Sequence, residues 1–234
     1  EGKLSKVRKT KIRQTDVIVG REKGTNFISS VIFPNRTEIG LNNPEFTQVE
    51  LYVAYKDYLW MMDLTEEMIE KAVLDLHAQT KVKVGDKEID FKRPWKRYTM
   101  FEAIEEFTGI DISKMDEGEL FKTAKELKVP VDKKMGKGKL IDEIFGEKCE
   151  AQLIQPTFIM DYPVEMSPLA KKHRSIDGLV ERFELIVNGK ELCNAYSELN
   201  DPIDQKARFE EQLELAKRGD EEAMAMDEDF VRAL

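Results

Sequence analysis

The chain is poor in the residues that build covalent or metal-held scaffolds: two cysteines, Cys149 and Cys193, and two histidines, His77 and His173, are all it has in 234 residues. No CxxC or Cys/His spacing joins them, so neither a disulfide framework nor a zinc site is expected, and a reducing, cytoplasmic setting fits. Long apolar runs are missing too. None approaches the ~20 residues that span a bilayer, and no charged-then-apolar signal segment opens the chain, so no membrane role is expected. Internal repeats and low-complexity tracts are absent. The run Met135-Gly-Lys-Gly-Lys139 lacks the G-x-x-x-x-G-K-[ST] spacing that cradles phosphate and reads as a basic loop before a helix. The first residue is not Met and the last residues continue a helical pattern, which together suggest a piece of a longer protein.

What is present is a chain able to bury a core, with 41% hydrophobic residues and a net charge of -9. That charge argues against a surface that binds nucleic acid throughout. Lys3, Lys6, Arg8, Lys9, Lys11 and Arg13 form a basic entry segment and the region after Asp201 is acidic; a solvated face accounts for each run.

The patterning is mixed. Val17–Val19 and Phe27–Phe33 read as an antiparallel strand pair, and Glu50–Tyr55 as a further strand. A helix is expected from about Thr65, where Met68, Ile69, Ala72, Val73 and Leu76 recur at helical spacing, with His77 at its end. Lys81–Phe91 alternates around Gly85-Asp86 as a small hairpin. From Thr99 to Lys148 come three short amphipathic helices, the first with a Thr99/Glu102 capping pair. Pro156–Tyr162 returns to strand, and Pro202 suits the first turn of a closing helix. The expectation is an α+β fold with an antiparallel sheet flanked by helices, divided as 1–93, a helical insertion over 94–155, and 156–234.

The segment Arg182–Asp201 carries the most chemistry. Alternating apolar residues flank an Asn188-Gly189 turn, a strong hairpin signal, and carboxylates within such strands need a cation or donor if they are buried. Taken singly, each reads as a solvated strand residue. Together they suggest a cationic ligand, a metal, or both. By the period of two, Asn194, Tyr196 and Glu198 share one face, while Glu50 and Tyr52 share a face of their own strand. Strict alternation puts Glu191 opposite to Asn194, so Glu184 and Glu191 join that face only if a bulge re-aims the strand near Cys193.

Asn43-Pro-Glu-Phe-Thr47 with Glu50-Leu-Tyr52, Pro156–Pro163 with Ser167-Pro-Leu169, Arg182-Phe-Glu184, Asn194–Asp201, and the closing Gly219–Met224 and Asp227–Phe230 resemble the catalytic domain of class II lysyl-tRNA synthetases, in order and spacing, from about Leu41 onward. The resemblance implies an ATP-dependent ligase that activates lysine as an adenylate and passes it to tRNA(Lys), built on a six- or seven-stranded antiparallel sheet and dimeric in the full-length protein. It implies that Glu184 and Glu191 hold Mg2+ bridging the ATP phosphates, that Asn43 and Phe46 bind ATP with Phe46 stacking on adenine, and that Glu198, Glu50 and Tyr52 surround the lysine ε-ammonium. Asn194, with Tyr196 on its strand face, would position the amino acid. Departures accompany the matches. Pro34 stands where the family's second signature motif has its phosphate-contacting Arg, Arg36 stands at the position of the motif's Glu, and Asn42 stands where the family has His. No anticodon-reading barrel, first dimer motif or Gly-rich third motif is present in the segment, so little pyrophosphate exchange is expected of this chain alone. Two alternatives accompany this reading. One is a synthetase-like lysine-binding or regulatory protein; the other is a related ligase that modifies a protein lysine.

Overall fold

The chain divides into two units, Glu1–Lys56 and Asp57–Leu234. The computed structural model describes the backbone of residues 8–12, 15–22, 25–32, 46–219 and 223–234, with side chains from residue 49 onward apart from Arg218.

In the first unit, β1 (Arg8–Ile12), β2 (Thr15–Glu22), β3 (Thr25–Ile32) and β4 (Phe46–Val53) form an antiparallel sheet in chain order. The strand pair read from Val17 and Phe27 is β2 with β3, in which Val19 faces Ile28. The strand read at Glu50 is β4; Glu50 lies opposite Ile28 and Tyr52 opposite Asn26.

The second unit opens with α1 (Tyr58–His77), seven residues before the expected start. Asp57 caps it by accepting from the Trp60 amide at 3.0 Å. Its buried face is Tyr58, Met62 and Glu66, at i, i+4 and i+8, whereas Met68 and Leu76 of the stripe read from sequence are exposed. The helical period was therefore visible but its buried face was not, because Glu66 breaks the apolar pattern. Glu66 accepts from the Trp95 amide at 3.2 Å and faces Arg97, which compensates its burial.

After the β5 (Lys81–Val84)/β6 (Lys87–Asp90) hairpin comes β7 (Lys96–Thr99), then α2 (Met100–Thr108), α3 (Glu117–Glu126) and α4 (Lys137–Lys148). The Thr99/Glu102 capping box is formed at α2, and Asp116/Glu119 make a second one at α3. The chain returns to β8 (Thr157–Pro163), β9 (Leu179–Val187) and β10 (Lys190–Tyr196), and closes with α5 (Pro202–Arg218) and α6 (Glu228–Ala233). The second four-stranded sheet runs β10-β9-β8-β7. Its pairs are antiparallel except β7 with β8, which is parallel. The described strands thus group into two four-stranded sheets and a hairpin, where the resemblance implied one larger antiparallel sheet.

Alternation along β9 sorts the core. Phe183 and Leu185 point to one face, where they pack with Phe158, Trp95, Tyr58 and Met62 beneath α1. Val180 and Ile186 point to the other, with Ile159 and Tyr162 against Ile104, Leu120, Ile141 and Ile144 of α2, α3 and α4. Burying such apolar side chains is each worth about 1.5–3 kcal/mol, so the three helices anchor on the sheet through this face.

Candidate active site

The β9–β10 hairpin turns on Asn188 and Gly189, whose φ values of 55° and 68° are the left-handed pair that a two-residue type I′ turn requires. A Cβ at Gly189 would lie 3.2 Å from Ala151 Cα, so both conformation and space demand glycine there. The turn amides are used, with Asn188 donating to the Ile154 carbonyl at 3.0 Å and Gly189 to that of Leu153 at 2.9 Å.

Past the turn, Glu191 pairs with Ile186, but Cys193 pairs with Leu185 and Asn194 with Glu184, so Leu192 is left over as a bulge. Leu192 is 55% exposed and needs no ladder partner. The consequence is that Glu184, Glu191 and Asn194 present to one sheet face, joined by Arg182 and Tyr196, which are opposite each other. The bulge that strict alternation required near Cys193 is there.

Arg182 organises this face. Its Nε donates to Asn194 Oδ1 at 3.2 Å, its Nη1 to the Met166 carbonyl at 3.0 Å and to Ser167 Oγ at 2.8 Å, and its Nη2 to the Glu184 carboxylate. The guanidinium lies over the Tyr162 ring, 4.5 Å from its centroid. Beside these groups opens a cavity of about 480 Å³ lined by Tyr162, Arg182, Glu184, Met166, Lys137 and Met224, among others. Partial enclosure pushes the Glu191 carboxyl above its ordinary value, the Glu184 and Glu150 charges add to this, and Arg182 opposes it. Glu150 is raised likewise, by burial and then by Glu184 and Asp142. Glu191 and Glu150 are therefore ionised at a cost, which a cation nearby would relieve. Among the described residues no three His, Cys, Asp or Glu side chains converge as a complete metal cage.

Glu198 lies just past β10 in an isolated antiparallel bridge with Ala170. Burial raises its carboxyl above the ordinary range, although the side chain reaches solvent. Glu50 and Tyr52 stand on β4 of the first unit, and Phe46 begins that strand. Asn42, Asn43, Pro34 and Arg36 lie outside the described residues.

Sequence reading missed a second set of polar residues. Asp161, 5% exposed and at φ 57° where β8 shifts register, accepts from the Tyr58 hydroxyl at 2.8 Å. His173, which showed no partner motif, accepts the Ser175 and Ile176 amides on Nδ1 and sets Nε2 3.8 Å from Asp161. Arg174 grips Glu181 at 2.6 and 3.0 Å and Asp57 at 2.8 Å. A charged residue inside a strand, as at Asp161 and Glu181, was the only signal; the partners are too far apart in sequence to form a motif.

The model of the class II tRNA synthetases (D, K and N) matches residues 39–234, and the chain belongs to that family. Among individual proteins it is similar to the lysine–tRNA ligase of Porphyromonas gingivalis, 65% identical over 193 residues, covering 82% of this chain and 33% of that protein. The lysine–tRNA ligase of Azobacteroides pseudotrichonymphae is 56% identical over 218 residues, 93% of this chain and 43% of that protein. That of Christiangramia forsetii is 58% identical over 193 residues, 82% of this chain and 34% of that protein. The chain thus spans between a third and a half of the length of these relatives.

Proposed function

We propose that this chain carries the lysine-activating centre of a lysine–tRNA ligase, which joins lysine to ATP as an adenylate for transfer to tRNA(Lys). The observation that carries the reading is the bulge at Leu192, which gathers Glu184, Glu191 and Asn194 on one face, on the hairpin that leads to Glu198. The relatives named lysine–tRNA ligase support the choice of substrate.

Glu184 and Glu191 suit Mg2+, a hard cation that takes one or two protein carboxylates and completes its shell with phosphate and water. Bound there with ATP, the ion would offset phosphate charge. Glu198 receives the lysine ε-ammonium; an uncharged analogue would leave its carboxylate unpaired, which sets specificity. Asn194, already oriented by Arg182, holds the α-amino and carboxylate end, with Tyr196 on the same face. Phe46 and Asn43 serve the adenine nucleotide. A homodimeric, cytoplasmic enzyme, with residues 94–155 as a helical insertion in its catalytic domain, belongs to the same reading.

Calorimetric titration of lysine into the wild-type chain and into Glu198→Gln tests this. Measurable lysine affinity that the substitution abolishes, with ATP affinity retained, is expected. Equal lysine affinity in the two proteins, or none in the wild type, overturns the reading.

A further inference from the structure

Three backbone segments close a ring beneath Glu198. Lys171 donates its amide to the Ser197 carbonyl at 2.8 Å, Ser197 donates to Glu181 at 2.9 Å, and Glu181 donates to Lys171 at 2.9 Å. Leu199 donates to the Leu169 carbonyl at 3.1 Å and is buried, so Glu198 is held between two fixed neighbours while its own side chain reaches solvent.

The ring is locked by side chains. The Ser197 hydroxyl accepts from the Tyr58 amide at 3.1 Å, and Arg174 holds the Glu181 carboxylate at 2.6 and 3.0 Å. Glu181 is 3% exposed and lies on the α1 side of the sheet, on the face opposite to Arg182 and Glu184. Burial alone would raise its carboxyl; the Arg174 guanidinium, through its hydrogen bonds and its charge, opposes this and holds the group below the ordinary value. Arg174 carries the restraint on to Asp57, the cap of α1. An ionised carboxylate in such a position is costly to keep unless it is bonded; Arg174 bonds it, while the Glu181 backbone carbonyl accepts from the amide of Ser197, the residue adjoining Glu198.

We propose that Glu181 is a positioning residue for Glu198, acting through Ser197: the Arg174–Glu181–Ser197 chain fixes where the Glu198 carboxylate stands and so sets lysine affinity without touching the ligand. A carboxylate that must meet an ammonium in one place gains from a fixed backbone, because less freedom is lost on binding. The proposal rests on the lysine-ammonium role given to Glu198 above.

Glu181→Gln and Ser197→Ala in the full chain test it, with Ser197→Thr as the variant that keeps the hydroxyl. Each of the first two should weaken lysine binding about tenfold or more while ATP affinity stays within about twofold, and Ser197→Thr should restore most of the loss. Amide hydrogen exchange should quicken at Ser197 to Leu199 and not in the helices α2 to α4. Lysine affinity equal to wild type in both variants, or lysine and ATP affinities falling together, overturns the proposal and leaves Glu181 a stabilising residue only. If Glu181→Gln does not fold, Ser197→Ala carries the test. If the wild type takes up no lysine, the reading of the site falls, and exchange at Ser197 to Leu199 settles the clamp separately: unchanged exchange overturns it, selective quickening supports it.

Discussion

Glu191 and Asn194, three positions apart on one strand, face the same way because Leu192 between them is left out of the ladder. Two carboxylates, Glu184 and Glu191, and the Asn194 amide are thereby brought to one surface that plain alternation would have split.

Deletion of Leu192 is the corresponding test. Removing the extra residue keeps the pairs Glu191 with Ile186 and Asn194 with Glu184, so the fold should lose no more than about 1–2 kcal/mol, with lysine or Mg2+ affinity changing through altered twist. Deleting Ala195, which sits in the ladder opposite Phe183, should turn every later side chain over and destabilise the unit severely. Urea unfolding of the two deletion variants reads the difference; equal losses would refute the bulge assignment.

Glu198→Gln should remove lysine binding without lowering stability near neutral pH. Its carboxyl is raised from the ordinary 4.5 by burial, so the fold prefers the protonated form. Stability attached to that form is complete below 4.5 and is lost as pH rises through the higher folded value. At pH 7 the ionised group is therefore a cost that glutamine lacks. Melting curves at pH 5 and pH 7 should show the variant gaining on the wild type at the higher pH, and a gain at pH 5 alone would contradict the sign.

Gly189→Ala should cost on the order of 1–3 kcal/mol, through a positive φ combined with a contact against Ala151. Thermal melting shows this directly. A neutral result would mean that the 149–153 segment gives way.

The two thiols should resist modification. Burial pushes the Cys149 thiol to about 12 and the Cys193 thiol to about 11, so little thiolate exists at pH 8. A colorimetric disulfide reagent should react slowly with native protein and fully in urea; rapid native labelling of Cys193 would show that the strand opens locally.

Legibility from sequence followed the range of the interactions. The Asn188-Gly189 turn, the Thr99/Glu102 box and Pro202 in the first turn of α5 are local chemistry and were read directly. The candidate residues of β9 and β10 could be named from sequence but not joined into one surface, since nothing local distinguishes Leu192 as the residue to be skipped. β7 was missed because Lys96-Arg-Tyr-Thr99 is short and polar, with its pairing partner some sixty positions away. The cluster of Asp57, Asp161, Arg174 and Glu181 was invisible for the same reason; only folding brings its members together.

The parallel pairing of β7 with β8 changes what the helices between them are. Thr99 leaves the sheet beside Met160, three residues along β8 from where that strand starts at Thr157. A chain can re-enter a sheet in the same direction only by a crossover of about a dozen residues or more, never by a tight turn. The helices α2 to α4 are that crossover. Trimming them to a short loop would therefore do more than remove a covering layer: it would oblige β7 to leave the sheet or reverse, and would expose the second edge of β8. A viable shortened variant would have to keep one helix as the return path, which makes this region a structural tether first and a decorated insertion second.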